Sequence, residues 1–378
     1  MTSIVLNHLT SRHRHDQPQR PRHELHRKVT FHDEIVMEDG RCIRVHRKLY
    51  ATDDDATRVF LAADSRATSQ RNDGTHLYAL KRITYQDDEQ AEACRKEIEV
   101  HQTLMELKNE NLMPLLGAKF DTLRASRDDT LVNVCYMLFP YIPRSLRDEI
   151  TSRHLLQDVA ETKRRPYREP ELLQLFQGIV HGVAAMHSIG LSHRDLKPEN
   201  ILLQRRQGKR HKGDLGVIPI LTDFGSVHSS EEPTQSWGDI LQSMEEVEQR
   251  TTMAYRAPEL FGVGLSYGPK ESLHYAFSDV WSLGCLLYAI MYGASPFEIA
   301  WSVSLMDGQA AEGTVHLVEC TRAKILAAKI PFPPLGGAAD RRYSEQVKDL
   351  VRLMVRKVAR ERPTCDELSD RLEAFIHT

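Results

Sequence analysis

Three polar side chains lie close together in the stretch Leu191–Leu203, which reads LSHRDLKPENILL. Asp195 can accept a proton from a hydroxyl group, and Lys197 can stand beside a phosphoryl group during its transfer. Asn200 carries a carboxamide oxygen that can bind Mg²⁺. Apolar residues follow directly, so the three polar groups belong to a short loop. Their types and spacing predict a catalytic loop for phosphoryl transfer.

A further carboxylate, Asp223, lies 28 residues after Asp195 in the sequence LTDFG, behind a predicted strand (Val217–Leu221). A carboxylate on a turn that ends in Gly225 can reach a Mg²⁺ ion that bridges phosphate groups. The sequence YRAPE, which ends in Glu259, closes this part of the chain. We call residues 223–259 the activation segment and predict Asp223 and Asn200 as metal ligands.

Lys81 ends the strand-like sequence YALK, from which a lysine can point at nucleotide phosphates. Alone, such a lysine is more often a solvated charge. An acidic partner on the following helix would hold both groups in place. We favour Glu97 over Glu99 for this role, because side chains two residues apart face different ways on a helix.

For two acidic residues, Glu259 and Asp279, we predict structural roles. Glu259 is expected to pair with Arg362, in the sequence ERP, as a buried ion pair that is costly to break from one side. Asp279, in SDVWSLG, is the right type to accept backbone N–H groups of the catalytic loop. It can also cap the apolar helix that follows, and both roles can coexist.

The order of the predicted elements indicates an α+β fold, with a small antiparallel sheet and one helix before a mainly helical region. We place the boundary at residues 139 and 140, giving regions 30–139 and 140–378. The charged stretches 153–170 and 205–214 are expected to be surface loops. One predicted strand begins with Ile43–Val45. Four more span Arg58–Ala62, Leu77–Lys81, Leu115–Phe120 and Leu131–Phe139. Predicted helices are Asp87–Leu107, Glu171–His187, Val280–Tyr292, Ser344–Val358 and Cys365–Phe375.

Composition restricts the class of protein. The 378 residues are 41% hydrophobic, enough for a sizeable core, and the net charge of -3 argues against nucleic-acid binding over the whole surface. The six cysteines are scattered without a CxxC pair, which predicts reduced thiols and no disulfide partners. We find no signal peptide, the apolar stretch Val280–Ala294 is too short to span a membrane, and no glycine follows Met1 for myristoylation. We expect a cytoplasmic monomer without a lipid anchor.

Residues 1–29 are rich in arginine, histidine and proline and lack helical or strand periodicity. They predict a mobile tail. A basic tail can contact nucleic acid or an anionic membrane, but we favour a solvated arm.

Over about residues 44–376 the chain resembles eukaryotic protein kinases and, among them, the Numb-associated group. The resemblance is carried by YALKRI, KEIEVH, HRDLKPEN, LTDFGS, QRTTMAYRAPELF and SDVWSLGCLLYAIMYGASPFE. It implies a two-lobed kinase fold, ATP and Mg²⁺ as cofactors, and transfer of the γ-phosphoryl of MgATP to serine or threonine hydroxyls of protein substrates. DLKPEN, with its lysine, is similar to serine/threonine kinases, since tyrosine kinases usually differ there.

The same resemblance implies a role for each site residue. Asp195 would accept the substrate hydroxyl proton, Lys197 would contact the γ-phosphate, and Lys81 would hold the α- and β-phosphates. Thr252 would pack beside Asp195 and shape the substrate site. The carbonyl of Pro140 and the N–H of Ile142 would bond the adenine. Ala79 and Leu202 would enclose the ring, and the implied ATP-binding set also contains Leu49, Val59, Glu97 and Asp223.

One motif of the family is missing. Where kinases resemble one another in a glycine-rich loop, residues 50–59 of this chain read YATDDDATRV. Without glycine, backbone N–H groups do not come close to phosphates, and three aspartates would repel them. Either the chain is an active enzyme with weaker ATP binding, or it is a pseudokinase scaffold. We favour the enzyme, because Lys81, Asp195 and Asp223 are all retained.

Within the activation segment, Asp239–Arg250 places Ile240, Met244 and Val247 on one helical face. Kinases of this group are similar in carrying a helix here, so we predict one. It would shape substrate docking and could make phosphorylation of the segment unnecessary. Arg194 would still offer a cation to a phosphate on Ser226, Ser229, Ser230, Thr234 or Thr251.

Overall fold

The structure, a computed structural model, describes residues 34–65, 77–124, 131–154, 165–206, 215–233, 245–248, 250–262, 272–304 and 312–376. The predicted tail and most of the two charged stretches (153–170 and 205–214) lie outside these residues. The predictions made for them stay predictions.

The chain divides into two compact units. The first comprises Met1–Cys94 with Leu115–Tyr141, and the second comprises Arg95–Pro114 with Ile142–Thr378. Helix α1 (Asp88–Glu106) contributes residues to both units and matches the predicted helix to within one residue at each end.

The first unit contains a six-stranded antiparallel sheet in the order β1-β2-β3-β4-β6-β5. Its apolar residues, among them Ile43, Phe60, Leu80 and Leu138, pack into one buried cluster. Every strand predicted for this unit overlaps an observed strand. The strands are β1 (Glu34–Val36), β2 (Cys42–Ala51), β3 (Thr57–Asp64), β4 (Leu77–Tyr85), β5 (Gly117–Arg124) and β6 (Leu131–Pro140).

The pairing of β2 with β3 is irregular. Its register shifts between Val45 and Arg47 and again between Lys48 and Tyr50. Such bulges interrupt the alternation of buried and exposed residues, so His46, Arg47 and Lys48 are all exposed. For this reason the two-residue pattern of the sequence reveals only the first part of β2.

The second unit is mainly helical, and its described residues form four short antiparallel strand pairs. The helices are α2 (Leu146–His154), α3 (Glu169–Ser188), α4 (Tyr275–Tyr292), α5 (Arg322–Ala327), α6 (Glu345–Met354) and α7 (Cys365–Ile376). The strand pairs are β7 (Leu191–Ser192) with β10 (His228–Ser229), β8 (Ile201–Arg205) with β9 (Val217–Leu221), β11 (Glu231–Pro233) with β12 (Ser272–His274), and β13 (Ile299–Ser304) with β14 (Glu312–Leu317).

Helix α4 lies at the centre of the second unit, since almost all of its residues are buried. A Cβ atom at Gly284 would lie 2.6 Å from Val355 and 2.8 Å from Met354, so only glycine permits this close approach to α6. The helix begins at Tyr275, upstream of the predicted start at Val280. None of the helices in the described ranges is long and apolar enough to cross a bilayer.

Other elements of the second unit also differ from expectation. Helix α6 ends at Met354, four residues before the predicted end at Val358, and a short 3₁₀ turn follows at Ala359–Glu361. The helices α2 and α5 and the hairpin β13–β14 were not predicted. Within the predicted activation-segment helix (Asp239–Arg250), residues 245–248 and 250 are helical, as expected, whereas residues 239–244 and 249 lie outside the described residues.

Candidate active site

The predicted catalytic loop follows β7 and ends in a 3₁₀ turn at Pro198–Asn200, after which the chain continues directly into β8. Residues 192–196 are buried, so the loop is held inside the second unit and not on its surface. Arg194 has a left-handed backbone with φ of 66°. Such a conformation costs about 1–2 kcal/mol for a residue with a Cβ atom, and the bonds around it must supply that energy.

Four hydrogen-bond donors converge on the Asp195 carboxylate. The backbone N–H and the hydroxyl of Thr252 donate to Oδ1 at 3.1 and 2.9 Å. Lys197 Nζ and Asn200 Nδ2 donate to Oδ2 at 2.6 and 3.1 Å. Lys197 Nζ also donates to the Thr252 hydroxyl at 2.9 Å. The structure therefore brings all four predicted residues together and fixes the orientation of this carboxylate.

Asp279 holds the backbone of the loop. It accepts the N–H of His193 at Oδ2 and the N–H of Arg194 at Oδ1, both at 2.8 Å, as predicted for one of its two roles. The capping role is wrong, because α4 begins four residues earlier and Asp279 lies inside its first turns. Since the carboxylate is completely buried, both bonds are shielded from water.

A residue that the sequence analysis missed completes this arrangement. His187, at the end of α3, lies with Nε2 2.9 Å from Asp279 Oδ2. Burial by itself would lower the pKa of His187, but the neighbouring Cys365 and the Asp279 carboxylate raise it to about 10. The protonated ring balances the buried charge. A contact across 92 positions of sequence leaves no local pattern from which it could be found.

His193 connects the catalytic loop with the strand that precedes Asp223. Its Nδ1 accepts the N–H of Asp195 at 3.4 Å, and its Nε2 lies 3.2 Å from the carbonyl oxygen of Thr222. The N–H of Thr222 in turn donates to the carbonyl of Asn200 at 3.0 Å. Asp223, with φ of 65°, is a second left-handed residue. Asn200 thus lies directly before β8 and Asp223 two residues after β9, and these two strands pair with each other.

Glu97 lies beside the turn that Asp223 begins. A Cβ atom at Gly225 would be 3.5 Å from Glu97 Oε2 and 3.8 Å from Asp223 Oδ1. Glu97 is buried, whereas Glu99 is exposed. These positions agree with the preference for Glu97. Lys81 belongs to the other unit, and its pairing with Glu97 stays a prediction.

The donor chemistry fits Mg²⁺. Asn200 uses its Nδ2 to donate to the Asp195 carbonyl and carboxylate, which leaves its Oδ1 as the atom for a metal. Together with Asp223 this offers only oxygen, as Mg²⁺ prefers. Within the described residues, no group of three or more histidine, cysteine or acidic side chains could hold a metal by itself. The six cysteines, all of which lie in the described ranges, form no disulfide there.

The turn that replaces the glycine-rich loop, residues 52–57, is bonded to itself. The N–H groups of Asp55 and Thr52 donate to the carbonyls of Thr52 and Thr57, both at 2.9 Å. The N–H of Ala56 donates to Asp54 Oδ1 at 3.1 Å, and the N–H of Thr57 donates to the Thr52 hydroxyl at 3.0 Å. Four backbone donors are therefore already used. Hydrogen bonds from Thr52 and Ala56 lower the pKa of Asp54.

The other predicted nucleotide residues of the first unit lie on its sheet. Val59 is paired with Lys81, and Ala79 with Phe139, in the ladders that β4 forms with β3 and β6. Leu49 lies in the second register shift of β2, and Pro140 ends β6. In the second unit, Leu202 is paired with Ile220. Their adenine contacts, and that of Ile142, stay predictions.

The predicted ion pair of Glu259 with Arg362 is present as a two-pronged contact. Arg362 Nη1 and Nη2 donate to Glu259 Oε1 and Oε2 at 2.7 and 2.8 Å. The guanidinium is fully buried and also donates to the Phe277 carbonyl at 2.8 Å. This contact fastens the end of the activation segment to the C-terminal helices.

Comparison with known proteins decides the family. The protein kinase domain matches residues 65–371. The chain belongs to the protein kinase family. It is 30% identical to serine/threonine-protein kinase 16 of Rattus norvegicus over 301 residues, which cover 79% of this chain and 82% of that kinase. It is 29% identical over 359 residues to a probable serine/threonine-protein kinase of Dictyostelium discoideum (81% and 89% covered).

A shorter match links this kinase to actin-regulating kinase 1 of Saccharomyces cerevisiae, with 29% identity over 208 residues, 54% of this chain and 26% of that protein. The predicted membership of the protein kinases and the α+β kinase fold are thus confirmed, and the rat and Dictyostelium relatives are serine/threonine-protein kinases by name. The narrower assignment to the Numb-associated group stays a prediction.

Proposed function

We propose that this chain transfers the γ-phosphoryl group of MgATP to serine or threonine hydroxyls of protein substrates. The observation that carries the proposal is the Asp195 carboxylate, which four donors from Thr252, Lys197 and Asn200 hold in one orientation. A positioned carboxylate is what a hydroxyl needs to lose its proton during transfer.

Each predicted site residue has a part in this reaction. Asp195 accepts the proton of the substrate hydroxyl, and Thr252 keeps the carboxylate from rotating. Lys197, whose ammonium group lies between Asp195 and Thr252, places a positive charge where the γ-phosphoryl group would develop negative charge. Asn200 and Asp223 would hold Mg²⁺, which when bound neutralises phosphate charge. Lys81 would hold the α- and β-phosphates.

A second candidate is a pseudokinase scaffold. The self-bonded turn at residues 52–57 favours it, because the turn's occupied N–H groups do not serve phosphates. We prefer the enzyme, because the arrangement around Asp195 is complete. We further propose a cytoplasmic monomer with protein substrates as its partners.

Radiolabelled phosphate transfer from MgATP to a mixture of protein substrates tests the proposal. We expect incorporation into serine and threonine, identified by phosphoamino-acid analysis, and its loss in Asp195→Asn. Equal incorporation by both proteins would refute the enzyme. The Asp195→Asn chain should melt within a few degrees of the wild type, because asparagine keeps an oxygen to accept from Thr252.

A further inference from the structure

Arg194, next to Asp195, is a buried cation that requires a counter-charge. Its side chain is only 1% exposed, and its guanidinium lies over the Tyr275 ring, 4.8 Å from the ring centre. Two of its nitrogens, Nε and Nη1, have no hydrogen-bond partner within the described part of the chain. A buried charge is expensive unless an opposite charge accompanies it.

Glu246, in the short helical stretch of the activation segment, provides that charge. Arg194 Nη2 donates to Glu246 Oε1 at 3.1 Å. Burial raises the pKa of the Glu246 carboxyl, but the charges of Arg194 and Arg250 outweigh it and lower the pKa below the usual value. The carboxylate form is therefore the one that the contact favours.

Hydrogen bonds of the residues that follow Glu246 connect this stretch with the turn after Asp223 and with the Asp195 carboxylate. Arg250, four residues after Glu246, donates through Nη1 to the Gly225 carbonyl at 2.9 Å. The backbone carbonyl of Arg250 accepts a hydrogen bond from the Ser226 hydroxyl at 3.1 Å. Two residues further, Thr252 donates to Asp195. A single short stretch therefore connects Arg194, the turn after Asp223 and the Asp195 carboxylate.

We propose that Glu246 is a positioning residue for phosphoryl transfer, whose carboxylate supplies permanently the negative charge that a phosphate group would bring to Arg194. Kinase segments are commonly ordered by a phosphate that pairs with arginine. Here a side chain of the segment itself makes this contact, so the segment is ordered without modification. The inference rests on the proposed function.

Three variants test the proposal. Glu246→Gln keeps the shape and removes the charge, Glu246→Asp keeps the charge on a shorter chain, and Glu245→Gln is a control at the neighbouring exposed position. Loss of one charged hydrogen bond corresponds to about a tenfold or larger effect. We expect kcat to fall about tenfold in Glu246→Gln with KM for MgATP within about twofold, partial activity in Glu246→Asp, and wild-type kinetics in Glu245→Gln.

Phosphatase treatment, followed by intact mass measurement, separates this role from modification. The wild-type kinase should keep its rate after all phosphate has been removed. A loss of activity on dephosphorylation, or wild-type kcat in Glu246→Gln, would overturn the inference.

Hydrogen exchange of residues 245–252 gives a readout that needs no catalysis. We expect faster exchange in Glu246→Gln than in the wild type and in Glu245→Gln, and equal rates in all three would contradict the inference. If the wild type transfers no phosphate, the proposed function fails, while the exchange experiment still decides whether Glu246 orders the segment.

Discussion

The catalytic loop and the turn at residues 52–57 use hydrogen bonds in opposite ways. In the loop, donors from separate parts of the chain meet at one carboxylate, Asp195, and the backbone is held from outside by Asp279. In the turn, the aspartates serve the turn itself, since Asp54 accepts its N–H and hydroxyl groups and Asp55 pairs with Arg58. The loop is organised around one carboxylate, whereas the turn is bonded so as to close a hairpin.

This difference locates the chemistry. Asp53 has no such partner in the turn and adds negative charge where a glycine-rich loop would offer N–H donors. We infer that catalysis depends on the loop, and that the turn affects only how strongly the charged nucleotide binds.

Among the residues that support the loop, the largest effect is expected from Asp279→Asn, which weakens the attachment of the loop. The side chain accepts two backbone N–H groups and lies beside protonated His187. Because bonds to a charged acceptor contribute about 1.5–3 kcal/mol each, we expect kcat to fall about a hundredfold. Steady-state kinetics measure the kcat of this variant and of a control, Asp370→Asn, which changes an exposed aspartate of α7. Equal rates would show that the loop keeps its geometry unaided.

A smaller loss is expected from Thr252→Val. This change removes the hydroxyl that donates to Asp195 Oδ1 and accepts from Lys197, but leaves the backbone donor. One lost bond to a carboxylate corresponds to about tenfold in kcat. Thr103→Val, at an exposed position of α1, is the control. An unchanged kcat would mean that the orientation of Asp195 does not depend on the hydroxyl.

The support of the loop should depend on pH. His187 has a raised pKa of about 10 against 6.5 for an unperturbed histidine, so its protonated form stabilises the fold fully below pH 6.5. This contribution decreases as pH rises from 6.5 and is lost through about 10. The difference in Tm between the wild type and His187→Gln should therefore shrink over this range. A difference in Tm that does not change with pH would show that His187 and Asp279 do not form a charged pair. His46→Gln, at an exposed position of β2, serves as the control.

The smallest effect is expected in the turn. Exposed charges near 10 Å apart interact by about 0.4 kcal/mol in water, so Asp53→Asn should bind MgATP about twofold more tightly. Adenosine, which carries no phosphate, should bind with unchanged affinity. Titration calorimetry of both ligands, with Asp88→Asn as an exposed control, makes the measurement. Equal changes for adenosine and MgATP would show that the effect does not come from charge.

Much of the fold follows from local pattern. Strands β3 to β6 and helices α1, α3 and α7 could be predicted from their residue patterns, and the sequence HRDLKPEN marks the catalytic loop directly. The short helix α2 (LRDEITSRH) escaped because it is mostly polar and presents few apolar positions. The full length of β2 was not predicted, because bulges interrupt its alternation of buried and exposed residues.

The supports of the site were harder to find. The contacts of His187 with Asp279 and of Arg194 with Glu246 span 92 and 52 positions, and neither pair has a distinctive spacing. The three aspartates of the turn could be recognised as unsuited to phosphate. The role of Asp54 and Asp55 in closing the turn required the geometry, since Asp54 accepts the N–H of Ala56 and Asp55 pairs with Arg58.

The most direct test of the division between loop and turn is the kcat of the combined variant Asp53→Asn, Asp54→Asn, Asp55→Asn at saturating MgATP. Asparagine removes the charges but still accepts hydrogen bonds and tolerates the left-handed backbone of residue 55. We predict kcat within about twofold of the wild type and a lower KM for MgATP. A fall in kcat comparable with that of Asp195→Asn would contradict the account, because the turn would then take part in the chemical step.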